Sequence, residues 1–229
     1  MRTIGLLGGM SWESSIEYYR LVNELTRERL GGTHSAPCVM WSVDFADVEA
    51  LQSSGDWDAA GVLLADLAGR VEQAGAELIV LCTNTMHRVF EAVEDAVSVP
   101  LLHIGDATAA ATTAAGLDRV GLLGTRYTME AQFLRERLAG HGIDAVIPSR
   151  ADRELVHGVI YDELVRGIVR DESRAGYRAV IERLVEDGAQ GVILGCTEIE
   201  LLVGPQDAPV PLFPTTRIHA QAAVAAALA

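Results

Sequence analysis

The feature that most limits how this chain can fold is that it repeats itself. Ile4-Gly5-Leu6-Leu7-Gly8 recurs 116 residues later as Val120-Gly121-Leu122-Leu123-Gly124, and Cys82-Thr83 recurs 114 residues later as Cys196-Thr197. The run ahead of each cysteine repeats as well: Gly75-Ala76-Glu77-Leu78-Ile79-Val80 against Gly188-Ala189-Gln190-Gly191-Val192-Ile193. A lone cysteine in such a setting is as readily an inert core residue as a functional one. An inert residue has no reason to recur in the same local context, so the repetition favours a shared role for Cys82 and Cys196.

Each copy reads as α/β. Leu78 to Leu81 shows no polar alternation, which suits a parallel strand covered on both faces. It ends in Cys82, then Thr83, Asn84 and Thr85, and a helix is expected from Met86 to Val97. Ligands of open α/β sheets bind at the carboxyl ends of strands, where helix-start amides favour an anion. Thr83 to Thr85 can cap that helix or hydrogen-bond a ligand.

The rest of the chain fits the same alternation. Ile4 to Gly8 reads as a strand, followed by a helix starting near Ser11 or Trp12; its G-x-x-G-G spacing departs from the dinucleotide fingerprint. Pro37 to Asp44 is a second strand with Cys38 inside it as core, and Leu51 to Asp56 reads as a polar loop or lid carrying Gln52. A helix over 58–74 precedes the Cys82 strand, and Pro100 to Ile104 is the fourth strand. In the second copy, helices are expected near 106–115, 129–138, 153–166 and 173–186, with strands at 120–125, 144–147 and 191–195. Pro205, Pro209, Pro211 and Pro214 read as a looped return before an Ala-rich helix over 217–228.

Composition narrows the function. Acidic residues outnumber basic ones 32 to 18, giving a net charge of −14, so the phosphate-neutralising charge behind nucleic-acid or anionic-membrane binding is missing. No apolar run approaches a membrane span and the amino terminus lacks a signal h-region, so a cytoplasmic protein is expected. Three widely spaced cysteines, Cys38, Cys82 and Cys196, fit neither a disulfide framework nor a zinc knuckle. None of the six histidines has ligand spacing with them, so no metal is expected; His87 either tunes the neighbouring thiol or faces solvent from its helix.

Two thiols flanking a cleft from opposite sides suit a stereochemical inversion: one thiolate removes a proton from a carbon acid and the opposite thiol returns one to the other face. An amino-acid α-proton is far less acidic than a thiol of pKa about 8.5, so the carbanion itself must be stabilised. Donors aimed at a carboxylate taking on enediolate character contribute up to roughly 4 kcal/mol each, and Thr83, Asn84, Thr85 and Thr197 are candidates.

The strings Ile-Gly-Leu-Leu-Gly-Gly-Met-Ser-Trp-Glu-Ser-Ser (4 to 15), Ser-Val-Asp-Phe (42 to 45), Leu-Cys-Thr-Asn-Thr-Met-His (81 to 87), Leu-Leu-Gly-Thr-Arg-Tyr-Thr-Met (122 to 129) and Gly-Cys-Thr-Glu-Ile (195 to 199) resemble the aspartate/glutamate racemase family of cofactor-independent amino-acid racemases. The resemblance implies two pseudosymmetric three-layer α/β domains with parallel sheets and the active site in the interdomain cleft. The N-terminal domain would comprise 1–104 plus 212–229 and the C-terminal domain 105–211. It further implies no pyridoxal phosphate or other cofactor, a homodimer, Cys82 and Cys196 as the two bases, and Met10, Gln52, Thr83, Asn84, Thr85, Thr125, Thr197 and Glu198 around a small amino-acid substrate. Some aspartate-specific members place a Lys in the second domain, whereas this chain has no lysine. Arg126, Arg166 or Arg170 could substitute, and a broad substrate range including homoserine is correspondingly favoured over strict aspartate or glutamate specificity. Two other readings use the same residues: a maleate-isomerase-like enzyme with a covalent cysteine, and a non-catalytic small-molecule binding module.

Overall fold

The computed structural model describes residues 1–229 and divides into two compact units, Met1–Ile104 with His219–Ala229, and Gly105–Ile218. The first unit holds strands β1 (Ile4–Gly8), β2 (Cys38–Ser42), β3 (Leu78–Leu81) and β4 (Leu101–Leu102), all parallel, in the order β2-β1-β3-β4. The second holds β5 (Arg119–Gly124), β6 (Asp144–Val146), β7 (Val192–Gly195) and β8 (Leu212–Pro214), also parallel, in the order β6-β5-β7-β8. The repeated sequences thus build two sheets of one topology, each flanked by helices, and the α/β reading holds.

In both sheets the chain leaves the first strand toward one edge and the third toward the other. The carboxyl ends of β1 and β3, and of β5 and β7, are therefore the points where connections diverge, which is where open α/β sheets bind ligands.

Both faces of each sheet are covered, which is why the central strands are uninterrupted apolar runs. In the first unit Ile4, Leu6, Leu78 and Val80 pack against Tyr18, Leu21 and Val22 of the helix Trp12–Leu30 and against Ala220, Ala223 and Val224 of the helix Thr215–Leu228. Leu7, Ile79 and Leu81 face Leu64, Ala68 and Val71 of the helix Trp57–Gln73. In the second unit Val120, Leu122 and Ile193 meet Leu134 and Leu138 of the helix Gln132–Gly140, while Leu123, Val192 and Leu194 meet Val156, Tyr177 and Val180 of the helices Arg150–Asp162 and Asp171–Glu186. Side-chain oxygens set several helix starts: Ser11, Asp44, Asp56 and Ser149 each accept a first-turn backbone N–H.

Three sequence expectations change. Residues 212–218 belong with the second unit, because Leu212 to Pro214, expected as part of a looped return, pair with Val192 to Leu194 as β8. β8 lies at a sheet edge, where Pro214 costs no ladder hydrogen bond. The polar segment at 51–56 is no lid: Phe45–Ser54 is a helix that Gly55 closes in the left-handed conformation, with φ 77°. The helix expected over 86–97 is instead a 3-10 segment, Thr85–Val89, followed by one short α-helix, Phe90–Glu94.

Candidate active site

Cys82 directly follows β3, and its backbone N–H donates to Leu7 O at 2.9 Å, extending the β1–β3 ladder by one residue. Its side chain falls on the face of Leu78 and Val80, fully buried against the cluster that includes Tyr18. Gly9 beside it has φ 91° and turns so closely against β2 that a Cβ would stand 2.3 Å from Val43 N, which only glycine tolerates. The Gly9 N–H donates to Ser15 Oγ at 2.7 Å, fixing the loop on the following helix.

The other residues expected in the first unit gather at or beneath this strand end. Met10 is buried in the cluster that contains Leu7, Val48 and Met86. Gln52 is buried too, on the helix Phe45–Ser54, and its Nε2 lies 3.0 Å from Met86 Sδ. Thr83 is half-buried, whereas Asn84 and Thr85 are buried, and the Asn84 side chain makes no capping bond to the 3-10 turn. His87, expected to tune the thiol or to face solvent, is instead 2% exposed, with Nδ1 2.8 Å from Thr83 O and Nε2 3.1 Å from Ile104 N.

In the second unit Cys196 follows β7, half-buried, and its thiol donates to Glu198 Oε2 at 2.8 Å. Glu198 is buried; Thr197 Oγ1 lies 2.8 Å from Thr216 Oγ1. Thr125, at the end of β5, caps the short helix Arg126–Glu130 by accepting the Thr128 N–H at 3.3 Å. The sequence matches Cys196 to Cys82, but the pairing differs by one residue: Leu7 pairs with Leu81, whereas its counterpart Leu123 pairs with Leu194, leaving Gly195 before the thiol. Cys196 accordingly packs against the Leu123, Val192 and Leu194 face, the opposite face from the one Cys82 uses in its own sheet.

Burial pushes the Cys82 thiol far above its ordinary range. Burial likewise raises Cys196 well above that range, and the adjacent Glu198 carboxylate adds to the effect through its charge and the thiol hydrogen bond. Both sulfurs therefore rest as thiols, and either becomes a strong base once ionised. The segments that follow the cysteines are short, Thr85–Val89 and Phe90–Glu94 after Cys82 and Ile199–Leu202 after Cys196, so the helix-start contribution in favour of an anion is small.

No three His, Cys, Asp or Glu side chains converge on a metal-binding arrangement. Of the arginines considered in place of a lysine, Arg170 pairs with Glu163 at 3.3 Å. Arg126 is exposed at the end of β5, its guanidinium 5.7 Å from the Tyr127 ring centre, and Arg166 is exposed in the 3-10 turn Leu164–Arg166. Thr216 and Ser15 were not singled out from sequence; Thr216 carries a helix-start signal, yet its partner lies 19 residues away.

No helix is long and apolar enough to cross a membrane. The fold matches a crystal structure of a candidate Asp/Glu racemase from Yersinia pestis over the full length of both chains, with 53% identity and a TM-score of 0.95. It matches an aspartate racemase homologue from Pyrococcus horikoshii, again over the full length of both, with 33% identity and a TM-score of 0.88. The sequence is also 24% identical to a broad-specificity amino-acid racemase of Bacillus subtilis, across 99% of this chain and 98% of that one. The profile of Asp/Glu/hydantoin racemases matches residues 7–223, and the chain belongs to that family.

Proposed function

We propose that this protein racemises amino acids without a cofactor, with Cys82 and Cys196 exchanging the roles of base and acid. The observation that carries this reading is that each copy of the fold ends its third strand in a thiol, at the point where the sheet's connections diverge. One thiol first loses its proton to solvent, and the thiolate so formed takes the α-proton and becomes a thiol again. The electron pair left on Cα delocalises into the carboxylate, and the second thiol delivers its proton to the opposite face and becomes the thiolate. Thr83, Asn84, Thr85 and Thr197 are the donors for the enediolate. Glu198 holds the Cys196 proton at 2.8 Å, keeping that sulfur in its acid form until a carbanion needs it.

The substrate we favour is a broad set of amino acids, with homoserine beside aspartate and glutamate. The chain offers no lysine for a distal carboxylate, and the similar Bacillus subtilis protein is a broad-specificity amino-acid racemase. A homodimer in the cytoplasm, free of metal and nucleic acid, completes the reading.

The test is incubation of the purified protein in D₂O with either enantiomer of aspartate, glutamate and homoserine, followed by chiral chromatography and mass spectrometry. The expected result is loss of chirality with one deuterium at Cα, reduced about 10³-fold or more in Cys82→Ala and in Cys196→Ala. Absence of exchange with every substrate, or alanine variants as fast as the parent, would sink the proposal. A mass adduct on Cys82 during turnover of an unsaturated diacid would put an isomerase in its place.

A further inference from the structure

We propose that His87 and Thr216 are positioning residues that aim the two thiols, each by tying its thiol turn to the start of the helix that follows the last strand of the same sheet. The inference rests on the racemase reading for its kinetic consequences but not for its geometry.

In the first unit Ile104 N can only donate, so His87 Nε2 accepts from it at 3.1 Å. Nδ1 therefore carries the hydrogen and donates to Thr83 O at 2.8 Å. One neutral ring thus joins the residue after Cys82 to the first residue of the helix Ile104–Ala114. A protonated ring could not accept at Nε2, and the surroundings favour the neutral form: burial first, then the neighbouring His103 and His219, push the His87 pKa well below its usual value. Phe90 stacks on the ring with centroids 5.8 Å apart, and His103 packs edge-on at 4.7 Å.

The second unit reaches the same end with hydroxyls. Thr215 and Thr216 open the helix Thr215–Leu228 directly after β8, as Ile104 opens its helix after β4. Thr215 Oγ1 donates to Leu194 O at 2.9 Å, and Thr216 Oγ1 meets Thr197 Oγ1 at 2.8 Å, so the residue after Cys196 is tied to a helix start as well. Neither thiol turn is held by a long helix of its own, since 3-10 and single-turn segments follow both. These cross-ties add to the backbone bonds of the turns themselves, such as Cys82 N–H to Leu7 O and Ile199 N–H to Cys196 O, in fixing the backbone around each thiol. A misplacement of about 1 Å at a reacting group costs on the order of 10²-fold in rate.

Four variants test this. His87→Phe keeps the ring volume and removes both bonds; His87→Gln keeps one donor and one acceptor; Thr216→Val keeps the shape and Thr216→Ser the hydroxyl. His87→Phe and Thr216→Val should lower kcat roughly 10- to 100-fold with KM changed less than about threefold, and the Gln and Ser variants should recover most of the loss. Each thiol serves one enantiomer. With α-deuterated substrates, the primary isotope effect should therefore become unequal between enantiomers in His87→Phe and unequal in the opposite sense in Thr216→Val. Amide hydrogen exchange gives a readout independent of activity: peptides spanning 80–90 should lose protection in His87→Phe, and those spanning 194–200 in Thr216→Val. Should His87→Phe or Thr216→Val fail to fold, His87→Leu and Thr216→Ala, which remove the same bonds without adding bulk, carry the comparison. Unchanged protection of both thiol turns overturns the inference whatever the activity. So does an isotope effect that moves equally for both enantiomers. Wild-type protein inactive on all substrates would instead remove the racemase reading and leave the exchange data to decide the positioning.

Discussion

Acidification should loosen the first unit through its buried histidines, with His219 contributing about half of the effect. Its ring is fully buried, with Nε2 donating to Leu102 O at 3.0 Å and Nδ1 accepting from Tyr18 Oη at 2.9 Å. Burial, with the nearby His103 adding to it against the opposing Leu102 hydrogen bond, lowers its pKa from the ordinary 6.5 to about 4. In the unfolded chain the same ring takes up a proton near pH 6.5. Between these values the unfolded state binds more protons, so stability falls as the pH drops through the window. The difference corresponds to about 3 kcal/mol, a large part of a typical domain's stability of roughly 5–15 kcal/mol. His87 is depressed for the same reason and adds with the same sign. Well below pH 6.5, where the unfolded rings are protonated and both folded rings still neutral, the slope approaches about 2.7 kcal/mol per pH unit, or about 1.4 per histidine. All three tryptophans, Trp12, Trp41 and Trp57, lie in the first unit, so their fluorescence during urea unfolding reports on the right part of the molecule. Measured at about pH 7, 6 and 5, wild-type stability should fall by about 1.4 kcal/mol over the first step and about 2.4 kcal/mol over the second, and His219→Gln, less stable at neutral pH, should show about half of each. A flat wild-type profile below pH 6.5, or an unaltered slope in the variant, would refute the reasoning.

Two further outcomes follow from the second thiol. In Glu198→Gln the carboxylate beside Cys196 Sγ becomes a neutral amide of nearly the same size, so ionisation of Cys196 should move to lower pH while remaining above that of a free cysteine because burial persists. The pH dependence of iodoacetamide labelling, read by mass spectrometry on the Cys196 peptide, measures this directly, and an unshifted profile would mean the two groups are uncoupled. In Gly195→Ala the new Cβ would stand 2.8 Å from Leu123 O, and because that atom is backbone, β5 and β7 must separate at the thiol. A loss of about 1–3 kcal/mol in stability together with reduced turnover is expected, and a variant with unchanged melting and activity would show that the strands are not so tightly placed.

The sequence by itself determined the two sheets. Strands covered on both faces must be apolar throughout, so Leu78 to Leu81 and Val192 to Gly195 were visible without coordinates, and the duplication assigned them matching places. The same periodicity located most helices to within a few residues, and the two Cys-Thr pairs marked the strand ends where a site would form. What failed was local signal outvoted by tertiary context. The prolines around β8 argue for a loop until an edge position makes them harmless, and the polar stretch at 51–56 reads as a lid until Asp44 and Gly55 close it into a helix. The one-residue difference in register that sends Cys82 and Cys196 to opposite faces of their sheets was itself legible, because the runs ahead of the cysteines repeat at an offset of 113 residues and the cysteines at 114, Gly195 being the extra residue, but its consequence for the face each thiol uses appears only once the strands pair. Nor do local patterns reveal that His87 is buried, that Thr216 meets Thr197, or that Tyr18 meets His219 across 201 residues. Hydrophobic periodicity is written residue by residue along the chain. Register, burial of polar rings and hydrogen bonds between distant side chains exist only after the sheets have assembled, because each is set by which partner happens to lie opposite.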